Sequence, residues 1–219
     1  QSLQNDPDDL EAQGNFALFL ARSGAYEDAA RWYARPAAIL RDDAPVQHSF
    51  ADVLLTLGNL AEGWPRYSWR HFLENDRLLV DKPVLTSLPD GPSAIVVLDQ
   101  GVGDQILMAS MIPDLVARYQ DLEVECDPRL RTLFQRSFPF VRFTNAVPSS
   151  TPGTVATPGS FGVADAGRWL RPDFDAFPKH QGYLKADPGL ERELRSRYRR
   201  NSGPVVGIAW STRKSIKLG

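Results

Sequence analysis

The chain has 219 residues, of which 42% are hydrophobic and 24% are charged, and its formal net charge is -2 at pH 7. This composition is typical of a globular protein and excludes the collagenous and disordered classes. The sequence contains neither a run of about 18 apolar residues nor a basic-then-apolar leader, so we expect a soluble, cytoplasmic protein without a transmembrane segment.

The distribution of charge and the cysteine content bear on the number of units in the chain and on the kinds of partner and site it can have. Residues 1–91 carry 8 basic and 14 acidic side chains, whereas residues 92–219 carry 17 and 13, which predicts two units with different surfaces. The basic side chains near the end suit either a nucleic-acid surface or a solvated helix face; we favour the second and expect no nucleic-acid partner. One cysteine, Cys126, and three histidines argue against a disulfide framework and a structural zinc site.

The first unit has the pattern of a helical repeat. Apolar residues at helical spacing run from Leu10 to Ala21 and from Phe50 to Leu57, and each run meets a glycine turn before a second helical run begins, which predicts two helix hairpins. Residue types return after 34 residues at four pairs: Gly24 and Gly58, Ala17 and Ala51, Leu20 and Leu54, and Tyr33 and Tyr67. This is the period of the tetratricopeptide repeat, which the chain resembles over about residues 7 to 75.

Some residues of the first unit fit the tetratricopeptide pattern, and two positions depart from it. Small residues stand where paired helices approach closely, at Ala17, Ala29, Ala51 and Gly63. Pro36 stands inside the second helix, which it should bend or end, and Arg41 replaces the closing proline of the repeat. Because two repeats cannot bury a solenoid core alone, either further repeats precede Gln1 or the following domain caps the stack.

Aromatic residues are concentrated at the end of this unit, at Trp64, Tyr67 and Trp69. They could form a ligand-stacking surface, but aromatic residues at helical spacing more often pack, and we expect them at the seam with the next domain.

An α/β pattern follows a connector assigned to residues 76–93. The predicted elements are a buried strand at Ala94–Leu98, a helix at Ile106–Tyr119 interrupted by Pro113, a strand at Leu122–Cys126, a helix at Pro128–Phe138 and a strand at Val141–Phe143. This order predicts the start of a doubly wound parallel sheet. Beyond it we expect a mobile loop over residues 148–167, irregular chain packed on the sheet from Trp169 to Leu184, and a helix from Pro188 to Arg200.

The loop after the first strand contains Gly101, Gly103 and Asp104. It does not fit dinucleotide binding, because Ile106 occupies the place of the third glycine, and no Lys-Ser/Thr follows to form a Walker phosphate loop. Asp104 suits two roles: it could cap the following helix, or it could accept a proton from a hydroxyl at the ligand-binding edge of the sheet. The helix dipole would keep such a base ionised.

The segments 99–106 (DQGVGDQI), 205–211 (VVGIAWS) and 63–70 (GWPRYSWR) resemble the heptosyltransferase-type glycosyltransferases, family 9, and most of all bacterial proteins in which tetratricopeptide repeats precede such a transferase. The resemblance implies an α plus α/β fold class. Helical hairpins in residues 1–75 would precede a Rossmann-like parallel lobe in residues 94–187, the acceptor side of a GT-B fold. Residues 188–219 would supply the hinge helix and first strand of the donor lobe, and we expect that lobe to need about 120 to 150 further residues, so that this stretch alone has no transferase activity.

The resemblance also implies a site. Asp104 would be the general base, while Gly101, Gly103 and Gln105 would shape the acceptor side. The donor phosphates would be bound by Ser211, Thr212, Arg213 and Lys214, although Lys214 could equally be a solvated lysine. The partners implied are a nucleotide-sugar donor and a glycan or protein acceptor, with inverting transfer and neither a metal nor another cofactor, because a cation on the chain stabilises the leaving diphosphate.

Two functions remain as hypotheses. The first is a glycosyltransferase whose repeats recruit the acceptor or a protein partner. The second is a scaffold in which the repeats bind a partner and the transferase-like lobe is inactive. We favour the enzyme, since a scaffold needs neither the acid at the loop nor the cation near the end.

Overall fold

The computed structural model describes residues 6–73, 85–145, 160–179, 182–199 and 206–207. Its α-helices are α1 (Leu10–Arg22), α2 (Tyr26–Ile39), α3 (Ala44–Thr56), α4 (Leu60–Tyr67), α5 (Val102–Met108), α6 (Ile112–Arg118), α7 (Pro128–Ser137), α8 (Gly167–Leu170) and α9 (Pro188–Tyr198). Its strands are β1 (Ser93–Val97), β2 (Asp121–Cys126), β3 (Arg142–Asn145) and β4 (Ser160–Gly162). Short 3₁₀ turns cover Ser68–Phe72, Ala109–Met111, Val163–Ala166 and Phe174–Ala176.

Helices α1 to α4 form the two predicted hairpins. Gly24 and Gly58 take φ values of +83° and +79° at the turns, a backbone conformation that glycine adopts without steric cost. Ala17, Ala29 and Ala51 are fully buried between the helices. The expected close approach of the helices is thus confirmed at these alanines.

Two details of the hairpins differ from expectation. Helix α2 continues past Pro36 to Ile39, so the proline does not end it. Pro36 lies in the last turn, where it removes a single backbone bond while its ring is buried. Phe16 belongs to the apolar run from Leu10 to Ala21 but is 36% exposed, because α1 turns Gln13 and Ala17 into the core instead.

The second unit contains a four-stranded, fully parallel sheet in the order β3-β2-β1-β4. The expected parallel α/β arrangement is therefore confirmed, and the three expected strands lie within two residues of their predicted bounds. One face of the central strands is fully covered, with Val96 and Val124 paired and completely buried, whereas Glu123 and Glu125 on the other face of β2 are half-buried. The carboxyl ends of β1 and β4 lie side by side, facing the helical hairpins.

The expected mobile loop is partly wrong, because β4 lies inside it. Ser160, Phe161 and Gly162 pair with Ile95, Val96 and Val97 of β1. Three residues are too few to show an alternating pattern, and burial of Phe161 against the core holds the strand in place. After it, Tyr183 donates a hydrogen bond to the Ile106 carbonyl over 2.7 Å, as expected for irregular chain packed on the sheet.

No helix in the described ranges is long and apolar enough to cross a membrane.

Candidate functional site

The two units enclose a cleft of about 530 Å³ at the carboxyl edge of the sheet. The hairpins contribute Asp52 and Tyr67 to its wall, among others, and the α/β unit contributes Asp104, Met108 and Arg171. Open α/β sheets bind ligands at this edge, outside the carboxyl ends of their strands. The predicted general base therefore lies in a cavity that neither unit forms alone.

Asp104 is exposed in the first turn of α5. Of the two roles considered for Asp104, the helix cap is wrong, because α5 begins at Val102, earlier than expected, and Gly101 occupies the cap position. The Gly101 carbonyl accepts the first helical bond, from the Gln105 amide over 2.8 Å. The Asp104 carboxylate therefore makes no cap hydrogen bond and lies exposed on the cleft wall.

The other loop residues predicted to shape the acceptor side have different surroundings. A Cβ added at Gly101 would lie 3.2 Å from Oδ2 of Asp104, so glycine leaves room for that carboxylate. Gly103 is exposed, and a Cβ added there would lie within 4 Å of no described atom beyond its chain neighbours and its own helix backbone. Gln105 is buried: its Nε2 donates to the Gln100 carbonyl over 2.8 Å, and its Oε1 accepts from the Asp127 amide over 2.9 Å. Its side chain thus ties the loops after β1 and β2 together.

Asp52 is the carboxylate that α3 contributes to the cleft. Its side chain is 58% exposed, and its Oδ2 lies 3.8 Å from Nδ1 of His48, one turn earlier. Partial loss of solvent raises the pKa of Asp52, the His48 charge opposes this, and the negative charge of Asp104 adds to it. The two carboxylates, one from each unit, therefore interact through the cleft.

Tyr67 closes the cleft from the end of α4. Burial raises the pKa of its hydroxyl to about 12; Arg70 opposes the shift, while Asp52, Asp104 and Asp99 add to it. The phenol is therefore protonated at neutral pH and able to donate a hydrogen bond. Its ring lies 5.3 Å from the ring of His48 and 5.1 Å from the Arg70 guanidinium.

A buried ionic network lies behind Tyr67 and joins the units. Nε of Arg70 donates to Oδ2 of Asp99 over 2.7 Å, and Nη1 donates to Oδ1 of Asp165 over 2.8 Å. Asp99 follows β1 and Asp165 follows β4, so one guanidinium bridges two strand ends. The side chains of Arg70 and Asp99 are 2% and 0% exposed, which excludes water from the pair.

Two further side chains complete this network. Ser68 donates to Oδ1 of Asp165 over 2.8 Å, and Nε2 of His71 lies 2.8 Å from Oδ2 of the same carboxylate. Burial opposes ionisation of Asp165, but Arg70 and His71 outweigh it and hold its pKa well below the usual range. The network is thus an ionised, nearly dry contact between the hairpins and the sheet.

Trp64 confirms the expected seam. Its Nε1 donates to the Arg171 carbonyl over 2.9 Å, and a Cβ added at Gly167 would lie 2.7 Å from its ring. The Arg171 guanidinium in turn pairs with Asp114 over 2.7 Å.

The aromatic residues indicated this seam in the sequence, whereas the roles of Arg70, Asp99 and Asp165 were missed. A charged residue among the junction aromatics was the signal available for Arg70.

The predicted donor-phosphate residues Ser211, Thr212, Arg213 and Lys214 lie outside the described residues. Within the described ranges, no group of three or more His, Cys, Asp or Glu side chains is placed to hold a metal ion.

Comparison with known proteins gives one informative similarity. Protein FlbA of Caulobacter vibrioides is 30% identical over 200 residues, which cover 81% of this chain and 32% of that protein. The chain thus spans about a third of the length of this curated relative. No protein-family model and no solved structure matches the chain.

Proposed function

We propose that the chain is part of a glycosyltransferase that moves a sugar from a nucleotide-sugar donor to a hydroxyl of a glycan or protein acceptor. The observation that carries the proposal is the position of Asp104. It is an exposed carboxylate in the first turn of the helix after β1, and it faces a cleft closed on its other side by the helical hairpins. The sequence resemblance to heptosyltransferase-type enzymes supports the same role.

The chemistry follows from that position. Asp104 accepts the proton of the acceptor hydroxyl, and the oxygen attacks the anomeric carbon of the donor sugar from the side opposite the diphosphate. The bond between that carbon and the diphosphate oxygen breaks, so the anomeric configuration inverts. Lys214 and Arg213, with the hydroxyls of Ser211 and Thr212, would stabilise the charge on the leaving diphosphate, without a metal.

A binding scaffold is the second candidate. Phe16, Phe19 and Trp32 form an exposed aromatic cluster on the first hairpin, with Phe16 edge-on to Trp32 at 4.9 Å. Exposed aromatic groups are enriched where proteins bind partners. In the enzyme, such a surface would recruit a protein acceptor or partner, whereas in a scaffold it would be the whole function.

Asp104→Asn in the full-length protein tests the enzyme. The amide keeps the shape but accepts no proton, so we expect transfer from UDP-, GDP-, ADP- or dTDP-sugars to fall about 10²- to 10⁴-fold, with folding and donor binding unchanged. The matched control is Asp121→Asn, at the amino end of β2 with a 68% exposed side chain, which should transfer like the wild type. Wild-type rates in Asp104→Asn would reject Asp104 as the base. A protein partner bound without any nucleotide-sugar binding by calorimetry would favour the scaffold.

A further inference from the structure

We infer that Asp52, on the helical hairpins, is a specificity residue that makes the cleft select a neutral or positively charged sugar acceptor and reject an anionic one. The inference rests on the proposed function. It assigns part of the acceptor site to the helical unit rather than to the α/β lobe alone.

The cleft has the size and the walls of a small-molecule site. Its volume of about 530 Å³ falls within the usual range for ligand pockets, about 300 to 1,000 Å³. Asp52 on α3 and Asp104 on α5 both line the cleft, and both residues are exposed to solvent. A ligand that reaches the base therefore also meets Asp52.

Among the described residues that line the cleft, the charged side chains exposed to solvent are the carboxylates of Asp52 and Asp104. Arg171 lines the cleft, but its side chain is 3% exposed and is neutralised by Asp114 at 2.7 Å. Arg70, behind Tyr67, is likewise buried and paired with Asp99 and Asp165. These cations are paired within the protein, whereas the two carboxylates face solvent, with His48 3.8 Å from Asp52. Such a field attracts cations and repels phosphate and carboxylate groups.

The negative charge of the cleft also indicates which of the two substrates binds there. A nucleotide diphosphate carries several negative charges and is disfavoured between two carboxylates, so the cleft suits the acceptor. Partial burial is the main reason that the pKa of Asp52 is raised, and the negative charge of Asp104 adds to this shift, which a bound ammonium group would oppose. A uronate in the same place would add a third negative charge.

The remaining walls fit a sugar ring. The carboxylate of Asp52 accepts hydrogen bonds from hydroxyl or ammonium groups, and the Tyr67 hydroxyl donates one. Leu107 and Met108 supply apolar surface opposite them for the C–H face of a pyranose. Convergent polar groups on a mostly apolar wall are the usual arrangement in small-ligand sites.

Saturation-transfer NMR on the full-length protein at pH 7 tests the inference. The probes share one ring and differ in charge: methyl glucoside, methyl glucosaminide and methyl glucuronide, with a Lys-Ser-Lys peptide as the polypeptide alternative. In the wild type we expect the neutral and cationic sugars to bind more tightly than the anionic one. Asp52→Asn should lower the ratio of cationic to anionic affinity by about threefold to fivefold, the effect of one partly exposed charge.

The matched control is Asp42→Asn, an exposed aspartate before α3 and outside the cleft, which should leave the ratio unchanged. Circular dichroism checks that both variants fold. An unchanged ratio in Asp52→Asn, tightest binding of the glucuronide, or binding of the peptide alone would overturn the inference.

A failure of the proposed function would give a different result from a failure of this inference. If the wild type transfers no sugar but shows the Asp52-dependent preference, the transferase proposal is wrong and the cleft assignment stands. If transfer occurs, Asp52→Asn should raise the acceptor KM of the aminosugar with little change in kcat, whereas Asp104→Asn should lower kcat. Transfer with an unchanged KM in Asp52→Asn would reject the role of Asp52 alone.

Discussion

Nε of Arg70 donates a 2.7 Å hydrogen bond to Asp99, and neither side chain is open to solvent. Arg70 lies in the turn that ends the helical hairpins, and Asp99 follows β1, so this bond joins the turn to the end of the strand. The same guanidinium reaches Asp165 beyond β4 over 2.8 Å. A single cation thus links the last turn of one unit to two strand ends of the other. Tyr67, which lines the cleft, lies next to this contact, with its ring 5.1 Å from the Arg70 guanidinium.

Replacing Arg70 should be strongly destabilising. Arg70→Ala leaves Asp99 and Asp165 buried without their cation, and we expect a loss of about 3–5 kcal/mol in the free energy of unfolding. Urea denaturation followed by circular dichroism measures this. Arg31→Ala is the control, since the 75% exposed Arg31 pairs with the 54% exposed Asp28, and it should change stability by less than about 0.5 kcal/mol. Equal stability of the two variants would show that the buried network contributes nothing.

Gly162 should not tolerate a side chain. A Cβ there would lie 2.5 Å from Nη2 of Arg70 and 3.1 Å from Oδ1 of Asp99, so Gly162→Ala must displace the network. We expect a destabilisation of about 1–3 kcal/mol. Gly103→Ala, in α5 with open space around the new methyl group, should be neutral or stabilising by up to about 1 kcal/mol. A thermal melt of each variant distinguishes these results, and a neutral Gly162→Ala would contradict the close packing.

Asp165 should make the fold sensitive to acid. Its pKa is lowered on folding, so its stabilising effect is complete above the ordinary carboxyl pKa of about 3.9 and is lost as the pH falls towards the lower folded value. We expect the melting temperature to drop below about pH 4. Asp165→Asn should be less stable at pH 7 and should lose part of this dependence. Parallel acid profiles for the variant and the wild type would contradict the assignment.

Trp64 should hold the units together through both its ring and its N–H group. Trp64→Phe removes the donor to the Arg171 carbonyl and should cost about 1–3 kcal/mol, because a buried acceptor loses its partner. Trp32→Phe, at a 37% exposed position on the first hairpin, is the control and should cost less. Urea denaturation compares them, and similar losses would argue against a special role for Trp64 at the seam.

Much of the local structure could be predicted from the sequence because its signals are local. The glycines at 24 and 58 adopt the positive φ of the hairpin turns, and the apolar residues of β1 and β2 stand close together in the chain, alternating with glutamates in β2. The position of Asp104 at the start of the helix after β1 was predicted from the same order of elements. Its helix-cap role was wrong because the helix starts at Val102, and helix ends are poorly marked when glycine takes the cap.

The sequence by itself thus determined two helix hairpins, the start of a parallel α/β sheet and an acid at the start of the helix after its first strand. Only the tertiary structure decided that β4 joins the sheet beside β1, that Asp52 lines the same cleft as Asp104, and that Arg70 bridges two carboxylates. Arg70 is separated from Asp99 by 29 residues and from Asp165 by 95. Periodicity reports neighbours within a helix or strand, whereas such contacts form only when packing of the two units removes water from them.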